Sequence, residues 1–270
     1  MKETVALFIS DLHVGSRWAI WHPNYTFKDG LDQGSTWGLN GIQERIWKYW
    51  QDFTQGLKKK NLVPDYIFLL GDLIDGPQRR GHGNEAVTQN LNEQAGCALQ
   101  LLRMILKKDS TIIRGLVGSD YHDERYYNVN EGICTSYGGK FSGITGIFNI
   151  GSHRFRMYHG KTQAYIYLEM IMGRRRMFAH EAMARNKLPE FEGIIMGHLH
   201  RWIHIKTMFK EDMDFHVVLL PGWQGQTTYE ASIDPDKIIP EIGAVIGRFN
   251  GSQVDFQCEF RYPTPIGGIE

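Results

Sequence analysis

Five short apolar runs in this chain each hand over to Asp or His. Run 5–9 leads into Asp11-Leu12-His13, and run 66–70 into Gly71-Asp72. Run 111–117 leads into Gly118-Ser119-Asp120-Tyr121-His122, run 154–158 into His159-Gly160, and run 191–196 into Gly197-His198-Leu199-His200. One carboxylate or imidazole at such a place is an ordinary turn or cap residue. Five in order, each where a strand would pass into a loop, predict a fold that gathers remote strand ends at one site. In layered α/β folds ligands collect beyond the carboxyl ends of strands.

Between these runs the periodicity changes. Ile42, Ile46, Trp47, Trp50, Phe53 and Leu57 recur at helical spacing over 42–57. Val87, Leu91, Ala95, Ala98, Leu102 and Ile105 predict a helix over 85–108, with Lys107 and Lys108 near its end, where cations suit the helix dipole. A third helix is expected over 162–185. Two strands are expected within 139–158 and further strands at 215–220, 243–249 and 254–260. Helices alternate with strands early and strands dominate late, the pattern of a mixed α/β sandwich with sheets inside and helices outside. Residues 14–41 show no sustained period but carry Trp18, Trp21, Tyr25 and Trp37, and read as a lid-like loop insertion. No composition break marks a linker, so one domain over 1–270 is expected.

Composition bounds the partners. Thirty basic and thirty acidic side chains cancel in 270 residues, so no global field draws the chain to duplex nucleic acid or to an anionic membrane. The clusters Lys58-Lys59-Lys60 and Arg174-Arg175-Arg176 read as solvated faces; Arg79-Arg80, close behind Asp72, could instead clamp a phosphate. Cys97, Cys134 and Cys258 are too few and scattered for a disulfide framework or a Cys-based zinc site. No secretory signal or membrane-spanning run is evident, and a reducing, cytoplasmic setting is expected.

The donor set is oxygen and nitrogen. Asp-x-His and His-x-His put two side chains on the same side of an extended segment, and the mixture suits Mn, Fe or Zn better than Mg or Ca. In this order the five motifs resemble the signature of the calcineurin-like metallophosphoesterases, over roughly residues 5–222, with Leu220-Pro221-Gly222 similar to the turn that closes that family's core. The resemblance implies a four-layer α/β/β/α sandwich, metallo-dependent phosphatase-like, with two metal ions. It implies that Asp11, His13 and His200 hold one ion, that Asp72 bridges, and that His159 and His198 hold the other. The third motif departs from the family's usual Gly-Asn-His: Asp120 is the replacement ligand this implies, Ser119 the alternative, and His122 the general acid. Arg79 is the expected substrate contact.

The chemistry implied is hydrolysis of a phosphate ester, preferably a diester, by a hydroxide made available between two cations. Nucleotides or single-stranded nucleic acid are the expected substrates; the aromatic residues of 14–41 could stack on bases, against the favoured reading that they seal a core or an oligomer interface. Three other readings stand beside it: a phosphomonoesterase or protein phosphatase, a non-catalytic scaffold of the same fold, and a structural zinc site. Structural zinc sites are usually closed and Cys-rich, which fits seven Asp and His candidates poorly.

Overall fold

The structure is a computed structural model that describes residues 3–78, 83–106, 111–122, 129–160, 168–210, 213–233 and 239–263. Its first sheet contains β1 (Thr4–Ile9), β2 (Tyr66–Leu69), β3 (Ile112–Gly115), β4 (Lys140–Phe141), β10 (Ile242–Asn250) and β11 (Gln253–Tyr262). The second contains β5 (Thr145–Ile150), β6 (His153–Tyr158), β7 (Gly193–Met196), β8 (Ile203–Lys210) and β9 (Met213–Leu219). The strand orders are β11-β10-β1-β2-β3-β4 and β5-β6-β7-β9-β8. β1 to β4 run parallel, as do β6, β7 and β9, while β10, β11, β5 and β8 pair antiparallel at the flanks.

Strand alternation builds the layers. In β1, Leu7 and Ile9 face one side and Ala6 and Phe8 the other. β2 and the residue after it repeat the division, with Ile67 and Leu69 against Phe68 and Leu70. The outer set packs under α1 (Gly41–Lys59), α2 (Leu91–Arg103) and α3 (Val129–Thr135), through Ile46, Trp50, Phe53, Ala98, Leu101 and Ile133. The inner set meets Phe155, Met157, Ile195 and Val218 of the second sheet, and Phe8 stacks on Phe68 with ring centroids 5.2 Å apart. Beyond that sheet, Ile194, Met196, Val217 and Leu219 bury Leu168, Met172, Ala179 and Met183 of α4 (Leu168–Ala184). The order is helix, sheet, sheet, helix, the four layers expected. Fully burying one such aliphatic or aromatic side chain contributes about 1.5–3 kcal/mol. No described helix is long and apolar enough to cross a membrane.

Several boundaries differ from the sequence expectation. α2 begins at Leu91, not 85, because the Asn90 side chain caps it, accepting the Asn92 amide at 3.0 Å. Gln94 meanwhile spends its amide on the Gly76 and Thr88 carbonyls, holding 83–90 as a turn. Residues 140–158 hold three strands instead of two. The short helices α3 and α5 (Thr228–Ile233) and strand β8 were not foreseen. Of the expected helix over 162–185, the first residues lie outside the described ones.

Segment 14–41 is packed into the core through its first half, while residues 28–36 are exposed. Trp21, Tyr25 and Phe27 are buried and pack ring against ring, Trp21 and Tyr25 edge-on at 5.5 Å. A single carboxylate pins the segment to α2: Glu93 accepts the Tyr25 hydroxyl and the Lys28 and Asp29 amides, each at 2.7 Å. Trp21 and Tyr25 are therefore core side chains that no base can stack on. Trp18 and Trp37 are half-buried, the latter giving its indole N–H to Gln43.

Candidate metal centre

The motif loops are tied to one another by backbone bonds. Asp11 N–H donates to the Gly71 carbonyl at 3.1 Å and His13 N–H to the Asp72 carbonyl at 3.0 Å. Trp223 N–H reaches Asp11 O at 2.8 Å, and His198 N–H reaches Asp11 Oδ2 at 2.9 Å. Asp11, His13, Asp72, His198 and His200 all have positive φ, between 45° and 78°. Asp and His visit this left-handed region more readily than most residues, yet each such position costs about 1–3 kcal/mol and persists where surrounding structure imposes it. Five of the expected ligands carry that strain together, and the sharp turns aim them at one place.

Three groups of three result, one of them, His13, Asp75 and His122, sharing His13 with the group around Asp11. Asp11, His13 and His200 can offer ligand atoms all within 4.8 Å of one another, and so can Asp72, His159 and His198. His200 Nε2 lies 3.2 Å from Asp11 Oδ1, and His13 Nε2 lies 3.2 Å from His200 Nε2. In the second group His159 Nε2 lies 2.9 Å from Asp72 Oδ2, and it also stands 3.7 Å from Asp11 Oδ1, which joins the groups. Six of the seven expected ligands thus come together. The seventh does not: Asp120 is exposed and belongs to none of these groups. Ser119, the alternative, is 9% exposed and turned onto Asp72 Oδ1, donating its amide at 2.7 Å and its hydroxyl at 3.3 Å. It orients a carboxylate. Arg79 lies outside the described residues.

Asp75 is the site residue that sequence reasoning missed. It is 2% exposed, and its Oδ1 stands 3.5 Å from both His13 Nδ1 and His122 Nδ1. Its backbone carbonyl accepts a hydrogen bond from His122 Nδ1 at 2.6 Å. The signal was present as a second acid three residues after Asp72, just before Gly76-Pro77. His122 packs edge-on to His13 with centroids 4.3 Å apart and is 18% exposed.

The residues fit divalent cations on structural grounds. Asp11 Oδ1, His13 Nδ1 and His159 Nε2 are buried without a hydrogen-bond partner, a costly state for polar atoms unless a cation satisfies them. His159 donates Nδ1–H to the Leu70 carbonyl at 2.7 Å, which leaves Nε2 as the ligand atom, the usual outer-shell support for a metal-bound imidazole. The space is kept by glycine: a Cβ at Gly118 would lie 2.0 Å from Asp72 Oδ1, and one at Gly197 2.7 Å from Asp11 Oδ2.

Electrostatics carry the same sign. Burial raises the Asp11 pKa, but His159 and His200 together with hydrogen bonds from His13 and His200 override it and hold the carboxylate well below its ordinary range. Asp72 is likewise buried and likewise held down, by His159 and His122 first. Burial works against charge on His13 and His159, yet Asp11 and Asp75 push His13 up to about 10, and Asp72 and Asp11 push His159 up to about 9. Burial and the His159 charge take His198 down to about 4. The carboxylates therefore demand positive charge here, and without metal they obtain it from protons.

No known family's sequence profile matches the chain, and no curated protein matches it either. Solved structures do resemble it. Vps29 of Entamoeba histolytica, complexed with zinc, is 13% identical, with 96% of this chain and 99% of that one covered and a TM-score of 0.45. A novel archaeal phosphodiesterase is 11% identical, covers 94% and 99%, and scores 0.43. A predicted phosphoesterase of Streptococcus pneumoniae is 12% identical, covers 98% and 95%, and scores 0.39. These likenesses are too distant to carry function. The chain's own four layers, with His/Asp groups gathered at the strand ends, are the α/β/β/α sandwich that the motif order implies.

Proposed function

We propose that the chain is a phosphoesterase dependent on two divalent ions, Mn, Fe or Zn, that hydrolyses phosphodiesters. Nucleotides or single-stranded nucleic acid are the substrate class, and the cytoplasm the setting. The observation that carries this reading is the meeting of Asp11–His13–His200 with Asp72–His159–His198 around buried carboxylates. Two cations held by these residues supply Lewis acidity toward phosphoryl oxygens and lower the pKa of water in their reach.

The remaining steps belong to the chain itself. With Nδ1–H donated to the Asp75 carbonyl, neutral His122 presents a lone pair at Nε2, so it gives a proton to a departing oxygen from the ring protonated at both nitrogens. Burial and the charge on His13 pull the His122 pKa down, while Asp72 and Asp75 pull against them. The net shift is downward, so the doubly protonated ring gives up its proton readily but is the minor form near neutral pH; general acid help of this kind contributes about 10²–10⁴-fold. Tyr121, 39% exposed, lies edge-on to the His122 ring with centroids 4.8 Å apart. An aromatic surface beside the proton donor suits an organic leaving group such as a nucleoside. Balanced net charge argues against tracking along duplex.

The test is a metal-by-substrate screen with a chromogenic bis-ester, the corresponding mono-ester and single-stranded DNA, each with Mn, Fe and Zn. Diesterase activity stimulated by Mn and abolished by Asp72→Asn is expected. Turnover of the mono-ester alone would replace the diester reading; no turnover of any substrate by a fully metal-loaded chain would favour the scaffold.

A further inference from the structure

Helix α4 is apolar on two opposite sides. One stripe, Leu168, Met172, Ala179 and Met183, is buried against the second sheet. On the far side Met170, Met177 and Phe178 are 60%, 55% and 52% exposed. At 3.6 residues per turn these three share one narrow stripe with Arg174 and Glu181, and with Arg185 in the turn that follows. The other large exposed apolar side chains among the described residues are scattered over other elements. Single exposed apolar residues are ordinary, but three on one ridge, bordered by charges, mark a contact surface.

The order of the stripe identifies the occupant. Reading outward from the midpoint between Met177 and Phe178, the pairs are Met177 with Phe178, Arg174 with Glu181, and Met170 with Arg185. Any stripe at helical spacing is symmetric about its midpoint; what singles out a like copy is the inner charged pair, Arg174 with Glu181, of opposite sign. We propose that α4 is a self-docking surface on which a second copy of this chain packs antiparallel, about a two-fold axis through that midpoint. A two-fold contact is self-complementary, residue i on j and j on i. Met177 then meets the partner's Phe178, and Arg174 meets the partner's Glu181. Glu181 is already held by Arg185 of its own chain at 2.7 Å, so each carboxylate receives two guanidinium groups. Arg175 is turned inward, its guanidinium 5.8 Å over the Tyr158 ring, and leaves the surface to Arg174. A polyanion or an acidic membrane would meet the Glu181 charge within the stripe, so a like copy fits it better.

Sedimentation equilibrium on the whole chain tests the pairing. One helix face is a small interface, and a dimer with a dissociation constant on the order of 1–50 μM is expected. Arg174→Glu and Glu181→Arg, each alone, place like charges face to face and are expected to weaken the dimer at least about tenfold. The double variant restores opposite charges and is expected to recover association to within about threefold. Phe178→Asp is expected to give a monomer; circular dichroism matching the parent establishes that it folds. A parent chain monomeric at about 200 μM, or a double variant no tighter than the single ones, would overturn the proposal. Diesterase activity is not the readout, so failure here leaves the hydrolytic reading untouched.

Discussion

Asp72 Oδ2 stands 2.9 Å from His159 Nε2, and no hydrogen bond satisfies that nitrogen. The other ring nitrogen already donates to the Leu70 carbonyl. A neutral His159 would therefore turn a bare lone pair toward a carboxylate in a buried setting. Only a cation relieves this, either a proton on Nε2 or a metal ion beside it.

Metal binding should release protons. His159, pushed up to about 9, and His13, pushed up to about 10, hold protons near neutral pH in the metal-free chain and must lose them to become ligands. Calorimetric titration with Mn or Zn in two buffers of different ionisation enthalpy, at about pH 7.5, should show more than one proton released per chain. Affinity should rise with pH until those groups deprotonate. Heats independent of buffer would contradict this account of the site.

The same shifts set how metal-free stability depends on pH. Both histidines are raised above the ordinary value of 6.5, so their stabilisation is fully present below about 6.5. It is lost as pH rises through about 9 and then 10. Thermal unfolding of the chelator-treated chain should show Tm falling across that window, and metal loading should flatten the fall. A metal-free Tm that climbs from pH 6.5 to 10 would reverse the sign.

Asp75→Asn tests the residue absent from the sequence reading. The change keeps the backbone carbonyl that orients His122 but removes the carboxylate 3.5 Å from both His122 and His13. Turnover should fall about 10–100-fold, the usual loss for an outer-shell partner, with metal content largely kept. His122→Ala should lower turnover by about 10²–10⁴ with metal content intact. Loss of metal in the His122 variant would make it a ligand instead of a proton donor.

Gly118→Ala probes the close approach between two motif loops. The added methyl would lie 2.0 Å from Asp72 Oδ1 and 2.4 Å from Asp72 N, atoms that cannot both move without displacing the carboxylate. Metal occupancy and activity should fall together. Unchanged occupancy would mean that Asp72 is free to shift.

Glu93→Gln should separate structure from catalysis. The carboxylate accepts three hydrogen bonds that fasten 28–29 and Tyr25 to α2, at a distance in sequence from every ligand. Replacing it puts an amide N–H against donors, with an expected loss of about 1–3 kcal/mol in urea unfolding and little change in turnover of the folded enzyme. A large loss of turnover without loss of stability would give segment 14–41 a catalytic part.

The ligands were legible because each terminates a strand, where short apolar runs are easily seen and the next side chain faces the common edge. Asp11, His13, Asp72, His159, His198 and His200 share that placement. Asp120 shared the position without the direction, since the turn that seats Ser119 on Asp72 leaves Asp120 exposed. Asp75 gave a single carboxylate in a loop, indistinguishable from a turn residue before Pro77. The start of α2 was hidden because Val87 continues the apolar stripe past the Asn90 cap. The aromatic residues of 14–41 lack a period because they fill a gap as individuals, which no repeat can announce.

Metal content measures the central claim most directly. Inductively coupled plasma mass spectrometry on the chain loaded with Mn and then dialysed should give about two ions per chain, and about one or fewer for Asp72→Asn. One ion or fewer in the parent chain, or two in the variant, would contradict the bridging role that the motif resemblance implies for Asp72.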